Sequence, residues 1–353
     1  MSDRFFRRWV RITFASAYLV VLAGSVVRMT GSGMGCPDWP MCFGLAIPPT
    51  TVEQVTWSSG ESYQEGRMLL ADDTLWVATS NHLAQDEVFE AARANHEGLW
   101  QPYDKHDYAV FNPVHTWVEF INRLIGAFTG LPALVVMGLA LFRAWRGRGW
   151  APAGLAAGTL LSLGFVAWLG KKVVDGNLIP GSITIHMLGA IVILLLLSAM
   201  LSLSVVRPWG NAMDQQIGLA TGFRQRLRWW GGALLLLALG QTLFGTQVRE
   251  AVDVLAHAGL PRASWMDQMP TWWKGHGFAA WAVLLLHLPA IWRLRGIWWG
   301  RLVAAAIGGQ FLTGILMHHF GMPAAAQPVH LILALAVVIS DGVLWWSAFR
   351  RPA

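Results

Sequence analysis

The stretch His115-Thr116-Trp117-Val118-Glu119-Phe120-Ile121-Asn122-Arg123-Leu124-Ile125-Gly126 opens an apolar run that continues to Phe142. A run of that length crosses a bilayer as a helix. A carboxylate stands near its start, and positions 115, 119 and 122 follow the i, i+4, i+7 spacing that shares one helical face. Ionisable groups are costly at membrane depth and normally face a bundle interior or a water-filled cavity, so this face is a candidate functional site. The competing reading puts His115, Glu119 and Arg123 at the membrane interface, paired with one another or with their stems lying along apolar surface.

Composition extends that reading to the whole chain. Its 353 residues are 55% hydrophobic and 13% charged, with a mean hydropathy of +0.45, which excludes an ordinary soluble single-core domain. The 21 Trp suit the two bilayer interfaces. The net charge of +6 is spread among short loops, as orientation signals are, so nucleic acid is not the implied partner. The basic start Arg4, Arg7, Arg8, Arg11 leads into a long apolar segment without a small-residue cleavage site, and reads as a retained first helix.

Eight spans follow from the apolar runs, at about 12–28, 115–142, 151–170, 183–206, 229–248, 276–294, 301–319 and 328–349. The side holding the termini carries 16 Lys and Arg against 9 on the other, and most of the 9 lie in two long loops that weigh less in orientation. Both termini are therefore predicted to be cytoplasmic. The largest outer loop, 29–113, has a polar part at 51–110 with expected short helices around 53–71 and 85–95. His82, His96 and His106 in that loop read as solvated surface histidines. Cys36 and Cys42 face the oxidising side on this topology, where a disulfide persists. A local structural staple and a redox-active pair are both compatible with their spacing.

The chain repeats itself. Gly24-Ser25-Val26-Val27-Arg28 resembles Gly245-Thr246-Gln247-Val248-Arg249, and the interval from Gly170 to His186 equals that from Gly314 to His330. An even number of helices per half makes the halves parallel. The fold class expected is an all-α membrane protein with eight transmembrane helices in two pseudo-symmetric four-helix bundles. The halves are 1–206 and 207–353. The repeat turns isolated histidines into a set. His276 and His330 sit at the outer ends of spans six and eight, an arrangement that can hold a haem iron from both faces. His186 is the counterpart of His330, but Asn122 stands opposite His276. An amide is a poor iron ligand, and His115, two turns earlier, substitutes only if the helix is displaced or the haem sits higher.

These residues resemble the haem A synthase family. The motifs that carry the resemblance are Gly31-Ser32-Gly33-Met34-Gly35-Cys36-Pro37-Asp38-Trp39-Pro40-Met41-Cys42, Glu119-Phe120-Ile121-Asn122-Arg123-Leu124, His186-Met187, Gly245-Thr246-Gln247-Val248-Arg249-Glu250 and Pro328-Val329-His330-Leu331. The resemblance covers all eight spans and implies oxidation of the C8 methyl of haem O to a formyl group, giving haem A for terminal oxidases. It implies haem b as cofactor in the C-terminal half with His276 and His330 as axial ligands, and haem O as substrate in the N-terminal half with His186 as one ligand. Glu119 matches the family's essential carboxylate beside the reacting methyl. Cys36 and Cys42 match a disulfide over the first haem. The family commonly has Glu-x-x-His-Arg where this chain has Glu119-Phe120-Ile121-Asn122-Arg123, so ligation of the substrate haem falls to His186 alone or to His186 with His115. Arg28 and Arg249, at equivalent helix ends, are candidate partners of haem propionates, with interfacial snorkelling as the alternative.

Two other classes compete. A non-enzymatic b-type cytochrome explains the histidines but gives Glu119 no task. A haem transporter explains the parallel repeat, although no span is broken near its centre by Gly and Pro. The family reading places the chain in a bacterial cytoplasmic (inner) membrane. Its partners would be haem O and the enzyme that makes it, an electron acceptor the sequence does not identify, and membrane lipid. A homo-oligomer is compatible with it.

Overall fold

A computed structural model describes residues 3–103, 111–175, 181–204 and 221–349. Lys105, His106 and the boundary between the halves at 206–207 lie outside the described residues. Among those described, eight helices are long and apolar enough to cross a membrane. They are α1 (Asp3–Thr30), α3 (Pro113–Trp145), α4 (Ala151–Asp175), α5 (Ser182–Ser204), α6 (Thr221–His257), α8 (Lys274–Arg293), α9 (Trp298–His319) and α10 (Ala326–Ser347). Two short helices, α2 (Phe89–Asn95) and α7 (Trp265–Gln268), lie outside this set. Every expected span is present, and most overrun their expected ends. In α6 the overrun past 248 carries Arg249 and Asp253, whose side chains pair at 2.8 Å across one turn. Such i, i+4 pairs support helix beyond the apolar stretch.

The chain divides into two compact units. One comprises residues 1–25, 127–166 and 184–353; the other comprises 26–126 and 167–183.

In the first unit, α6, α8, α9 and α10 form a closed ring in which each helix packs on the next. Trp299, fully buried, donates its indole N–H to the Ser340 carbonyl at 2.8 Å and so locks α9 to α10. Helices of the first half join the same apolar core through Phe6, Ala140 and Leu194. Tyr18 of α1 donates to the carbonyl of Ile332 in α10 at 2.7 Å. Gly342 lets α10 approach α5, since a Cβ there would lie 2.6 Å from Leu195 Cδ2.

The second unit holds the large loop, and it corrects the expected helix at 53–71. Only a 3₁₀ turn forms, at Val52–Val55. Beyond it run β1 (Ser62–Tyr63), β2 (Met68–Ala71), β3 (Thr74–Ala78), β4 (His82–Leu83) and β5 (Trp100–Pro102). β2 and β3 form a hairpin in register Met68↔Val77 to Ala71↔Thr74, and β5 adds to β3. The two turn residues, Asp72 and Asp73, have φ of 51° and 55°. That is the left-handed pair a tight hairpin needs, supplied here by aspartates rather than Asn-Gly. The strands bury Tyr63, Leu69, Ala78 and Trp100 with Phe89 of α2, the helix expected at 85–95. His82 is likewise not a solvated residue. Its ring packs 5.3 Å from that of Trp100 and its Nδ1 lies 2.9 Å from the Ser80 carbonyl oxygen. His96 is exposed, 3.4 Å from the Asp86 carboxylate.

Candidate functional site

α3 begins where Asn112 caps it. The Asn112 Oδ1 accepts the backbone N–H groups of Val114 at 3.0 Å and His115 at 3.3 Å, and Pro113 fills the first helical position, where a missing N–H costs nothing. The helix is unbroken to Trp145, so 115, 119 and 122 keep their common face. His115 is half-buried and stands two turns, about 10 Å, from Asn122 along the axis.

This face clamps the loop that precedes it. Thr116 donates its hydroxyl to the Gly35 carbonyl at 2.8 Å. Gly35 presses so closely on the backbone of His115 and Thr116 that no Cβ fits there. Glu119, 4% exposed, accepts the Cys36 N–H at Oε2 (2.8 Å) and pairs through Oε1 with Arg123 one turn on. Arg123 also donates to the carbonyls of Cys36 (3.0 Å) and Asp38. A buried carboxylate and its counter-ion thus satisfy loop backbone groups that would otherwise be orphaned. Cys36 and Cys42 are joined and both fully buried. With no sulfur surface open to a redox partner, burial favours the staple. Asp38 accepts the amides of Phe43 (2.7 Å) and Gly44 (2.9 Å) within the same loop. Its burial pushes the carboxyl above its ordinary range, against the pull of these amides and of Arg123. Elsewhere on this turn of α3, Asn122 Oδ1 and Trp117 Nε1 are buried without a hydrogen-bond partner. They are polar atoms that a bound molecule would satisfy.

The second cluster lies in the first unit. His276 of α8 and His330 of α10 face each other with ring centres 6.4 Å apart. Two imidazoles bound to one first-row metal from opposite sides, each nitrogen about 2.0–2.1 Å from it, place their ring centres roughly 6 Å apart. The spacing leaves room for one metal ion. Among the described residues no third His, Cys, Asp or Glu joins the pair. Two axial protein ligands suit a metal whose remaining positions a macrocycle fills. The surroundings are shaped for these rings. Gly245 of α6 lies beneath His276, where a Cβ would come within 3.1 Å of Cε1, and Phe244 packs edge-on at 5.7 Å. Gln241 donates to the His276 carbonyl at 2.9 Å. Thr313 of α9 has its hydroxyl 2.8 Å from both the Gly309 carbonyl and His330 Nδ1. Donating to the carbonyl, it accepts an Nδ1–H from the imidazole. That tautomer leaves Nε2 of His330 as the free lone pair, as a metal ligand requires.

The structure thus brings together His276 and His330, and separately Cys36, Cys42, Glu119 and Arg123. His186, half-buried on α5, follows Thr184, which meets Thr246 (2.9 Å) and Gln247 (2.8 Å) of the motif that ends in Arg249. Arg249 is engaged by Asp253, and Arg28 is half-buried in the last turn of α1. Sequence reasoning missed Thr116, Thr313 and Gln241. Their partners lie 81, 17 and 35 residues away on other segments, where no local pattern marks them.

A family model described as cytochrome oxidase assembly protein (COX15-CtaA) matches residues 7–72 and 79–340. The gap between the two matched stretches, residues 73–78, falls in the hairpin of the outer loop. A protein from Shewanella oneidensis named Heme A synthase is 26% identical over 262 residues, which cover 74% of this chain and 62% of that protein. One from Bacillus licheniformis with the same name is 43% identical over 49 residues, 13% of this chain and 16% of that protein. The chain therefore matches about six tenths of the first relative's length.

Proposed function

Since this multi-pass membrane chain belongs to the cytochrome oxidase assembly protein family, the haem A synthase family of the motif resemblance, we propose that it is itself a haem A synthase. In this reading it is an oxidoreductase that converts the C8 methyl of haem O into the formyl group of haem A. The observation that carries the reading is the facing pair His276 and His330 inside a closed four-helix ring, with Thr313 setting the tautomer of one ring.

His276 and His330 would hold haem b, which supplies the redox chemistry when bound. Gly245 and Phe244 would fix the plane of one ring and Thr313 the proton of the other. His186 is the proposed ligand of the substrate haem O. Asn122, whose amide oxygen is buried and unbonded, would face the substrate in place of a second ligand. Arg28 and Arg249 are proposed to meet haem propionates, which in the second case means sharing Arg249 with Asp253. Glu119 would stabilise positive charge developing on the carbon next to the reacting methyl, or take its proton. Arg123, paired with this carboxyl group one turn on, would act as its counter-ion within the buried site. In this reading the protein sits in a bacterial cytoplasmic membrane with both termini inside. It receives haem O from the enzyme that makes it and passes electrons to a separate acceptor.

One observation favours a second reading. Both oxygens of Glu119 are already engaged in holding the disulfide loop, a task a non-enzymatic b-type electron carrier would also need. Purification from cells that also make haem O, followed by extraction and mass identification of the haems, separates the two. Haem A beside haem b is the expected result. Haem b alone, with haem O supplied, overturns the synthase reading in favour of the carrier.

A further inference from the structure

Seven arginines gather where α1 begins and α3 ends: Arg4, Arg7, Arg8 and Arg11 on one helix, Arg143, Arg146 and Arg148 at the end of the other. One carboxylate, Asp3, stands among them. Its Oδ1 accepts from Arg143 at 2.5 Å and from Arg148 at 2.6 Å, and its backbone carbonyl accepts from Arg7 at 3.2 Å. A single acid cannot neutralise the group. Two clefts open beside it. One, of about 330 Å³, is lined by Phe142, Arg143, Arg146 and Arg148; the other, of about 510 Å³, is lined by the four α1 arginines with Ile12 and Ala15.

Arg143 sets this cluster apart from an ordinary row of interfacial cations. It is only 8% exposed, and its guanidinium carbon lies 4.8 Å over the Phe6 ring. Its Nε is buried and makes no hydrogen bond. A buried guanidinium donor left unpaired is costly, and an anionic oxygen in the adjoining cleft would satisfy it. Phe142 gives the cleft at the end of α3 an apolar wall, and Ile12 does the same for the α1 cleft. Trp145 and Trp150, both largely exposed, flank the end of α3 as residues at headgroup depth do. Guanidinium groups over an apolar floor at the helix ends match the phosphate and acyl root of a lipid.

We propose that the cleft at the end of α3 binds the phosphate of an anionic phospholipid, with Arg143, Arg146 and Arg148 as its contacts. The site is independent of any haem chemistry. It would anchor the joined ends of α1 and α3 to the leaflet on the predicted cytoplasmic side.

The test uses the full chain, purified in neutral detergent and stripped of lipid. Binding of phosphatidylglycerol, phosphatidylcholine and diacylglycerol is measured by native mass spectrometry, alongside thermal stabilisation by each lipid and by inorganic phosphate. Phosphatidylglycerol should bind roughly 10-fold or more tightly than phosphatidylcholine, as expected for several arginines near an anionic headgroup. The double variant Arg146→Gln, Arg148→Gln, which leaves the Arg143–Asp3 pair in place, should lose that preference. The variant Arg295→Gln, Arg301→Gln removes equal charge elsewhere and should keep it. An equal preference in the first variant, an equal loss in the second, or no preference in the wild type overturns the proposal. Stabilisation by inorganic phosphate matching that of the lipid would assign the site to a free anion instead.

Discussion

The carboxylate of Glu119 accepts the backbone N–H of Cys36 at 2.8 Å, across 83 residues of sequence, while Arg123 holds its other oxygen. The residue proposed for catalysis is therefore also the post to which the disulfide loop is tied. The two roles separate by substitution. Glu119→Gln keeps an acceptor for the Cys36 N–H but removes the charge. This variant should retain wild-type haem content and make no haem A. Glu119→Ala leaves Arg123 and the Cys36 N–H unpaired in a buried place, and should lower stability by about 3 kcal/mol. Thermal unfolding in detergent and haem extraction read the two effects. Normal haem A in Glu119→Gln would reject the catalytic role.

Thr313 is a positioning residue for His330 if the pair His276 and His330 holds haem b. Thr313→Val preserves shape and deletes the hydroxyl that accepts the Nδ1–H. Loss of such an outer partner typically costs 10–100-fold in metal affinity. The variant should show haem occupancy reduced on that scale, with a perturbed low-spin spectrum in what remains. Thr313→Ser should restore both. Wild-type occupancy and spectrum in Thr313→Val would show that the hydroxyl sets nothing.

His287 and Asp341 form a second buried pair, both fully inaccessible, with Nε2 3.0 Å from Oδ2. Nδ1 of His287 is 2.7 Å from the Val283 carbonyl, so it donates there. The pair stands eleven residues beyond His276 on α8 and beyond His330 on α10. That offset is close to three turns, so each helix presents both its residues on one face, about 16 Å apart. When the two sequence halves are aligned, the corresponding positions are Ala133 and Leu197, both buried and apolar. Packing at this depth therefore does not need a polar pair. Removing either partner alone, by His287→Leu or Asp341→Leu, should cost about 3 kcal/mol, because the other is left buried and unsatisfied. Both changes together should cost far less than the sum. Additive losses in thermal unfolding would show that the two residues act independently.

Spans were legible in the sequence because the signal for them is local. In a bilayer each spanning segment must satisfy its own backbone, so a long apolar run has one available conformation. The same locality made the outer loop hard to read. Residues 62–102 owe their strands to an aromatic core assembled from Tyr63, Phe89 and Trp100, and to a turn built on Asp72-Asp73. Neither is visible in a helix-period pattern over 53–71.

By itself the sequence determined how many times the chain can cross a membrane, which faces carry His115, Glu119 and Asn122, and that His276 and His330 begin their spans at similar depth. Those properties depend on hydropathy and on the helical period, which act over a few residues. Only the tertiary structure decided which groups meet. It gave Glu119 to Cys36, His330 to Thr313, His287 to Asp341 and Arg143 to Asp3. Each of these bonds joins residues 17 to 140 positions apart in the chain. A buried polar group must find a partner, but which partner is settled by how the helices pack, and no single segment records that.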